Sequence, residues 1–287
     1  KFEYMVSIKN KFEKNQHLGT IQIADSHMFL EFYSKYLSNK NKEGGAAINA
    51  FLIDYCLIFK TKMTHNKAIQ SGGALWFQQV NYIIIMNSVF LFNNAMGTGG
   101  LGSFIKTKRL FVITSRFNND NATRKGGCLN LMDIVLFRVM RSVFKNECCK
   151  YSGGALYVSD KEEKCKVEIY DVHFISNEAH TDAGALYINF VTEIILYLTV
   201  FVDNHALQRG GALLAHFSSG SSSTIIIHSC SFKDNFAKGD WSTMIIEDVT
   251  KISLHNSIIK DFSSKNIVLL YGAILEIFNV KFITAGI

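Results

Sequence analysis

The sequence predicts an all-β protein, a right-handed, single-stranded parallel β-helix, or solenoid. Three observations predict this fold. A short motif returns at a nearly constant interval, two other apolar segments in each interval have the character of strands, and the 287 residues include no proline. Because a fixed period of this size is the signature of repeat architectures, it outweighs local propensities. We expect about nine coils (full turns of the solenoid) of roughly 27–31 residues, each with three short strands.

The recurring motif runs from a phenylalanine through an asparagine and an alanine to Gly-Gly-Ala-Leu. One copy has Phe201, Asn204 and Ala206, followed by Gly210 and Gly211. The phenylalanines that precede the first glycine position by nine residues are Phe90, Phe117, Phe144, Phe174, Phe201, Phe232 and Phe262. The column of first glycines reads Gly44, Gly72, Gly99, Gly126, Gly153, Ala183, Gly210, Trp241 and Tyr271. A last phenylalanine, Phe282, opens a further copy.

Three segments in each repeat predict the strands. The first follows the glycine pair, and its alternation places Leu156 and Val158 on one face and Tyr157 on the other. The second is a β-branched run such as 224–227, and the third ends at the phenylalanine. We expect the second glycine to point inward and leave room for a phenylalanine. Because Trp241 occupies the first glycine column, we expect that column not to require a positive φ angle.

Two further columns predict polar and small contacts at the corner of the coil. The asparagine column reads Asn93, Asp120, Glu147, Asn177, Asn204, Asn235 and Lys265. Stacked amides can hydrogen-bond to one another and to the turn backbone, so we expect a ladder that is interrupted at its charged members. The small-residue column reads Ala95, Ala122, Cys149, Ala179, Ala206 and Ala237. It predicts a buried position with little space.

Gly-Gly-Ala-(Ile/Leu/Val) and Phe-x-x-Asn in fixed phase resemble the repeats of the chlamydial polymorphic outer-membrane proteins. The resemblance covers residues 44–287, and we interpret residues 1–43 as an irregular N-terminal coil or cap. It weakens at Glu147 and Lys265 and at Trp241-Ser242, where the glycine pair is replaced. The resemblance implies a surface or secreted β-helix with an adhesive or structural role.

We therefore expect a non-enzymatic surface or extracellular β-helix, acting in adhesion or as a rod within a larger assembly. The alternatives are a carbohydrate-binding or carbohydrate-active β-helix and an intracellular scaffold segment. Expected partners are other proteins or surface glycans. Because the chain stops inside a repeat, further coils or a partner subunit are expected at its C-terminal end. The net charge of +6 comes without a basic run containing aromatic residues, so nucleic acid is not expected.

The sequence predicts no catalytic residue, metal ligand or cofactor. Glycosidases and lyases need converging acids, whereas Asp203 and Asp234 share a column that we interpret as solvated turns. The run 118–121 offers oxygen atoms for calcium, and a turn cluster without metal is the favoured alternative. The nine histidines lack ligand spacing. The apolar stretch 267–278 is in phase with the repeat, so no transmembrane segment is expected.

A column on the outer face of the Gly-Gly-Ala strand is the best candidate for binding. It reads Trp76, Ser103, Asn130, Tyr157, Tyr187 and Leu214. Outward aromatic rings can stack on sugar rings or dock a partner protein; the favoured alternative is that they pack against one another. In either case we expect the rings of Tyr157 and Tyr187 to lie side by side and to be partly exposed.

The cysteines and one sequon complete the candidate sites. Cys128, Cys149 and Cys230 occupy small-residue columns and are expected to be buried free thiols. Cys148 and Cys165 lie outside such columns and are candidates for a local disulfide across a turn. Asn121, in Asn-Ala-Thr, is the candidate for N-glycosylation and is expected on a turn. These features are compatible with an extracellular location.

Overall fold

The computed structural model describes residues 4–16, 20–217, 222–239, 242–260, 266–270 and 274–283. These residues form a parallel β-solenoid of about ten turns, and no helix occurs among them. The strands stack into three sheets that follow the axis of the rod. The predicted all-β solenoid with three strands per coil is therefore confirmed.

The three sheets are named here by their character. The wide sheet contains strands Tyr4–Ile8, Ile21–Phe32, Ile48–Phe59, Leu75–Met86, Gly102–Ile105, Arg109–Ile113, Leu129–Met132, Leu136–Met140, Leu156–Ser159, Lys166–Tyr170, Leu186–Val191, Glu193–Tyr197, Leu213–Phe217, Thr224–His228, Ser242–Glu247, Lys251–His255, Asn266–Leu270 and Ile274–Phe278. The Phe sheet contains Lys11–Glu13, Lys35–Leu37, Lys62–Thr64, Val89–Leu91, Arg116–Asn118, Val143–Lys145, His173–Ile175, Val200–Val202, Ser231–Lys233, Ile258–Lys260 and Lys281–Ile283. The corner sheet contains Lys40–Asn41, Lys67–Ala68, Asn94–Ala95, Asn121–Ala122, Cys148–Cys149, Glu178–Ala179, His205–Ala206 and Phe236–Ala237.

The phenylalanine column lies in the middle of the core. Phe90 pairs with Phe117, which pairs with Phe144, and the column continues one residue per coil to Phe232. Successive rings are stacked with centroids 4.4–5.2 Å apart, and all are buried. Offset stacking of this kind adds to the free energy gained by burying the rings. The predicted role of this column is confirmed.

The register differs from the predicted one at both ends of the chain. Gly45, not Gly44, aligns with Gly72, because Ile48 pairs with Leu75 and both glycines have a φ of 64°. At the other end Ile259, not Phe262, pairs with Phe232.

The C-terminal shift follows from the length of the last coil. Phe282 pairs with Ile259, so corresponding residues in this coil lie 23 positions apart. A fixed nine-residue offset cannot detect such a shortened coil. The predicted column members Phe262, Lys265, Trp241 and Tyr271 lie outside the described residues.

The two glycine columns have different physical causes from those predicted. The first column has positive φ angles, such as 62° at Gly126, and Ala183 adopts 57° at the same position. In the second column, a Cβ atom on Gly127 would lie 1.9 Å from the carbonyl oxygen of Gly154 and 2.7 Å from the main chain of Cys148. The second glycine is therefore required by the close approach of neighbouring main chains, not by a phenylalanine side chain.

The N-terminal segment, interpreted as an irregular coil or cap, contains regularly paired strands. Lys35–Leu37 pairs with Lys62–Thr64, and Ile21–Phe32 pairs with Ile48–Phe59. The latter strands have 12 residues because two predicted strands merge into one. A residue with positive φ, such as Leu52, bends each long strand in its middle.

Extra length is accommodated in loops between strands. Where Arg138 and Glu168 lie 30 positions apart instead of 27, the additional residues form the exposed loop 161–164. The buried carboxylate of Asp160 closes this loop by accepting the N–H groups of Glu162 (3.0 Å) and Lys164 (2.7 Å). The strands on either side keep their register.

Candidate functional site

The asparagine column forms the predicted ladder at the corner of the coil. The N–H and Nδ2 of Asn177 donate to Oδ1 of Asn204 at 3.1 and 2.8 Å, and Nδ2 of Asn204 also donates to the Phe174 carbonyl at 3.0 Å. Asn235 continues the ladder, and Asn39, Asn66 and Asn93 form its N-terminal part. All these side chains are fully buried. The ladder satisfies polar groups that would otherwise be unpaired inside the protein.

Two carboxyl groups interrupt the ladder in consecutive coils. Oδ1 of Asp120 accepts the N–H (2.7 Å) and Nδ2 (2.9 Å) of Asn93, and Oε2 of Glu147 accepts the N–H of Asp120 (2.8 Å). Each carboxyl therefore takes over the acceptor role of an amide. Unlike an amide, it has no NH₂ group to donate onward. Oε1 of Glu147 is buried without a hydrogen-bond partner.

Cys128 lies beside these two carboxyl groups. It replaces the alanine of Gly-Gly-Ala, and its Sγ lies 3.8 Å from Oδ2 of Asp120. One ligand atom from each of Asp120, Cys128 and Glu147 lies within 4.8 Å of the others. All three residues, here called the buried triad, have no solvent-exposed surface.

Burial dominates the protonation of the triad. It raises the pKa of Asp120 to about 7 and the pKa of Glu147 well above its usual value. Burial, together with the charges of Glu147 and Asp120, also raises the pKa of the Cys128 thiol. Such a group of side chains either retains its protons or exchanges them for a cation.

The triad cannot be recognised from the sequence alone, because its members belong to separate columns of the repeat. Asp120 and Glu147 were interpreted as interruptions of the ladder, and Cys128 as a buried thiol. The available signal was that three departures from the repeat fall in two consecutive coils, at columns that meet at one corner. Only the fold shows that the two columns face each other.

The predicted binding column is in register but largely covered. Trp76, Ser103, Asn130, Tyr157, Tyr187 and Leu214 are successive strand partners. The rings of Tyr157 and Tyr187 lie side by side, as expected, with centroids 5.0 Å apart. Tyr157 is only 6% exposed, however, because Lys125 Nζ lies 4.3 Å from its ring centroid and 2.8 Å from its hydroxyl.

The expected partial exposure is therefore wrong for Tyr157 and holds for Tyr187. Asn130 is also buried, and its Nδ2 donates to Ser103 Oγ at 3.1 Å. Mutual packing is thus the alternative that the contacts in this column favour. Trp76, at the N-terminal end of this column, is half-buried.

The remaining candidate residues, which are cysteines, Asn121 and two aspartates, do not come together in one site. All six cysteines are free thiols. Cys148 lies on the corner sheet, whereas Cys165 is buried just before a strand of the wide sheet, so the candidate disulfide would join two different sides of a coil. Asn121 is exposed on its short strand, and its glycosylation stays a prediction. Asp203 and Asp234 are turn residues, each with φ of 56°.

A second surface, which sequence analysis did not identify, lies on the wide sheet. Its outward side chains form three adjacent columns that are apolar in the first four coils; in the fifth coil two columns remain apolar and Arg109 occupies the third. This apolar face consists of Tyr4, Val6, Ile8, Met28, Leu30, Phe32, Tyr55, Leu57, Phe59, Tyr82, Ile84, Met86, Phe111 and Ile113. Each of these side chains is exposed or half-buried, and Tyr55 is 44% exposed.

The apolar face contrasts with the outward positions farther along the same sheet. There, Arg138 pairs with Glu168 and Lys166 with Glu193, so ion pairs interrupt two of the three columns, and the middle column continues with Ile195 and Ile226. The third column becomes aromatic, with Tyr170, Tyr197, His228 and His255 in successive coils. A sheet with one solvated face normally carries polar residues there, and a contiguous apolar patch marks an interaction site.

The fold and these sites define the class of the protein, a parallel β-solenoid with a buried polar ladder and one apolar outer face. A scan against family models, a search of curated proteins and a search of solved structures found no match. The resemblance to the chlamydial repeats therefore depends on the two motifs alone. Within the described ranges, no helix is long and apolar enough to cross a membrane.

Proposed function

We propose that this chain is a non-enzymatic structural rod at a cell surface or outside the cell, and that it assembles by packing its apolar face against a second copy. The apolar face carries this proposal. The fourteen side chains of the apolar face carry no charge, so removing them from water has a small desolvation cost. Burying their apolar surface is favourable at about 25 cal/mol per Å². Adhesion through the assembled rods is the role that the chlamydial resemblance supports.

The dimensions of the wide sheet suit such a contact. Neighbouring coils are about 4.8 Å apart and three outward columns span about 15 Å, so the first five coils, which carry the apolar face, present roughly 350 Å² and the whole sheet of about ten coils presents roughly 700 Å². A standard protein interface buries about 800 Å² on each partner. Two flat sheets pack with their strand directions nearly aligned, which two rods lying side by side permit.

The uneven distribution of apolar residues favours one arrangement of the two rods. If the rods were antiparallel, the apolar face of one would meet the C-terminal coils of the other, which carry the ion pairs Lys166–Glu193 and Lys251–Glu276. If they are parallel, with a two-fold axis along the rod, apolar residues meet apolar residues. The proposal therefore specifies a parallel pair.

Sedimentation equilibrium tests the proposal. The wild-type chain is expected to approach twice its mass of 32.3 kDa as concentration rises. The double variant Leu57→Thr, Ile84→Thr should remain monomeric, because it places two hydroxyl groups in the centre of the contact. Threonine is β-branched, so both replacements suit a strand.

The matched control is Ile258→Thr, an exposed isoleucine of the Phe sheet, which lies on a different side of the rod from the apolar face. It should dimerise like the wild type. A wild-type chain that stays monomeric at the highest soluble concentration would contradict the proposal, as would an equal loss of dimer in the control.

Carbohydrate binding is the second candidate, and the aromatic column in the C-terminal coils favours it. The rings of Tyr197 and His228 are stacked 5.2 Å apart, and Tyr197 is 40% exposed. A glycan-array screen of the wild type and Tyr197→Ala tests this role, with Tyr33→Ala as an exposed aromatic control. Binding that only Tyr197→Ala abolishes would support it, and no binding by the wild type would exclude it.

A further inference from the structure

We propose that the buried triad of Asp120, Cys128 and Glu147 binds one divalent cation of the zinc type, which the chain takes up as it folds. The triad is independent of the apolar face and of the function proposed above. It lies inside the coil, between the asparagine ladder and the start of the wide sheet. Its side chains come from two consecutive coils, so a bound cation would link them.

The hydrogen bonds leave three electron-pair donors free to face one another. Oδ1 of Asp120 is occupied by Asn93, and Oε2 of Glu147 by the N–H of Asp120. The thiol of Cys128 donates to Oδ2 of Asp120 at 3.8 Å, a bond within the triad that a cation would replace, and Oε1 of Glu147 has no hydrogen-bond partner. Zinc bonds of 2.0–2.3 Å in a tetrahedral arrangement would place a sulfur and an oxygen ligand about 3.6 Å apart.

The occupied oxygens give the site its second layer of contacts. Asn93 and the main chain of Asp120 fix the orientation of the two carboxyl groups through short hydrogen bonds of 2.7–2.9 Å. Such outer contacts hold metal ligands in place and are normally required for affinity. The site therefore needs no rearrangement of the ladder to present its free atoms.

The charge of the site also favours a cation. Two carboxylates in an interior without a counter-ion are strongly unfavourable, and the ion pairs of the described residues do not include Asp120 or Glu147. A divalent cation balances two of the three negative charges of the fully deprotonated triad, so its binding favours the carboxylate and thiolate forms. The protons leave as the metal binds, so affinity should rise with pH.

The sulfur ligand determines the class of metal. Calcium and magnesium take oxygen ligands, six or more for calcium, whereas zinc accepts sulfur together with carboxylate oxygen. Three ligands from the chain leave one tetrahedral position for a water molecule. Cobalt(II) is a suitable probe, because a thiolate bound to it gives a near-ultraviolet charge-transfer absorption.

The repeat itself supplies the test variants. Asp120→Asn, Glu147→Asn and Cys128→Ala each install the residue that other coils have at the same position, as in Asn93, Asn177 and Ala155. These changes should preserve the fold, and circular dichroism can verify this. The chain is produced in medium supplemented with Zn²⁺ or Co²⁺, and its metal content is measured after dialysis.

The wild type is expected to carry one Zn²⁺ per chain and, with Co²⁺, to show the thiolate absorption. Each triad variant should lose at least tenfold in metal content, while Cys149→Ala, a buried cysteine outside the triad, should bind like the wild type. A folded wild type that binds no metal would show a protonated carboxyl pair and overturn the proposal. So would folded triad variants that retain the wild-type metal content.

Discussion

Gly127 shows how closely neighbouring coils approach at the corner. We predict that Gly127→Ala lowers the free energy of unfolding by more than about 3 kcal/mol, because its Cβ would overlap the carbonyl oxygen of Gly154, which is part of the next coil and cannot rotate away. Urea unfolding followed by circular dichroism measures the loss.

Gly126→Ala is the matched control one residue earlier. Its φ of 62° is unfavourable for alanine and a Cβ there would lie 2.2 Å from the carbonyl oxygen of Leu129 in the same turn, but Ala183 occupies the same column at 57°, so the turn can adapt there. We expect this variant to lose only about 1–2 kcal/mol. A larger loss from Gly126→Ala than from Gly127→Ala would show that the geometry of the turn within one coil, not the approach of neighbouring coils, determines the glycine pair.

Glu31 points into the core, where the next coils have Ile58 and Ile85 in the same column. Burial raises its pKa, although the hydroxyl of Tyr36 donates to it at 2.7 Å. A raised folded-state pKa means that the native protein prefers the protonated carboxyl. Its favourable contribution is therefore complete below the unfolded pKa of about 4.3 and is lost as pH rises through the folded pKa.

We predict that Glu31→Gln makes the free energy of unfolding less dependent on pH than in the wild type. The difference in stability between the two proteins should increase in favour of the variant as pH rises from about 4. Urea titrations at a series of pH values measure it. If the wild type instead gained stability relative to Glu31→Gln with rising pH, the assigned direction of the pKa shift would be wrong.

At the scale of the element, the asparagine ladder couples each coil to the next through side chains as well as main chains. Asn204→Ala would leave the N–H and Nδ2 of Asn177 without their acceptor. Since each unsatisfied buried group costs about 1–3 kcal/mol, we predict a loss of at least 3 kcal/mol in urea unfolding. Leu207→Ala, at a nearby exposed position, should change stability by less than about 1 kcal/mol.

The elements that the sequence predicted well are those whose residue type has one physical cause. The phenylalanine, asparagine and alanine columns could be read directly because each fills the same space in every coil. The sign of φ at the first glycine could not, because the aromatic residues assigned to that column predicted the opposite. The shortened last coil, where Val268 pairs with Met244, could not be read from a fixed offset either. The buried triad and the apolar face required the fold, since both depend on columns that the chain brings together only in space.

At the scale of the whole molecule, a parallel pair of rods makes a geometric prediction. Ile84 lies in the middle column of the apolar face, so two copies related by an axis along the rod bring this residue near its counterpart. We predict that Ile84→Cys forms an intermolecular disulfide on mild oxidation, seen as a dimer on a non-reducing gel. Asp203→Cys, on an exposed turn, should not, and efficient cross-linking there would indicate a different packing.

The loop closed by Asp160 has a consequence for how such a rod can diversify. Residues 161–164 are exposed, and the carboxylate of Asp160 accepts hydrogen bonds from the N–H groups of Glu162 and Lys164. The pairing of the strands before and after the loop is therefore independent of the length of the loop. Segments can therefore be inserted there without shifting any column of the solenoid. A foreign peptide inserted in this loop would therefore be displayed at a fixed position along the axis of the rod.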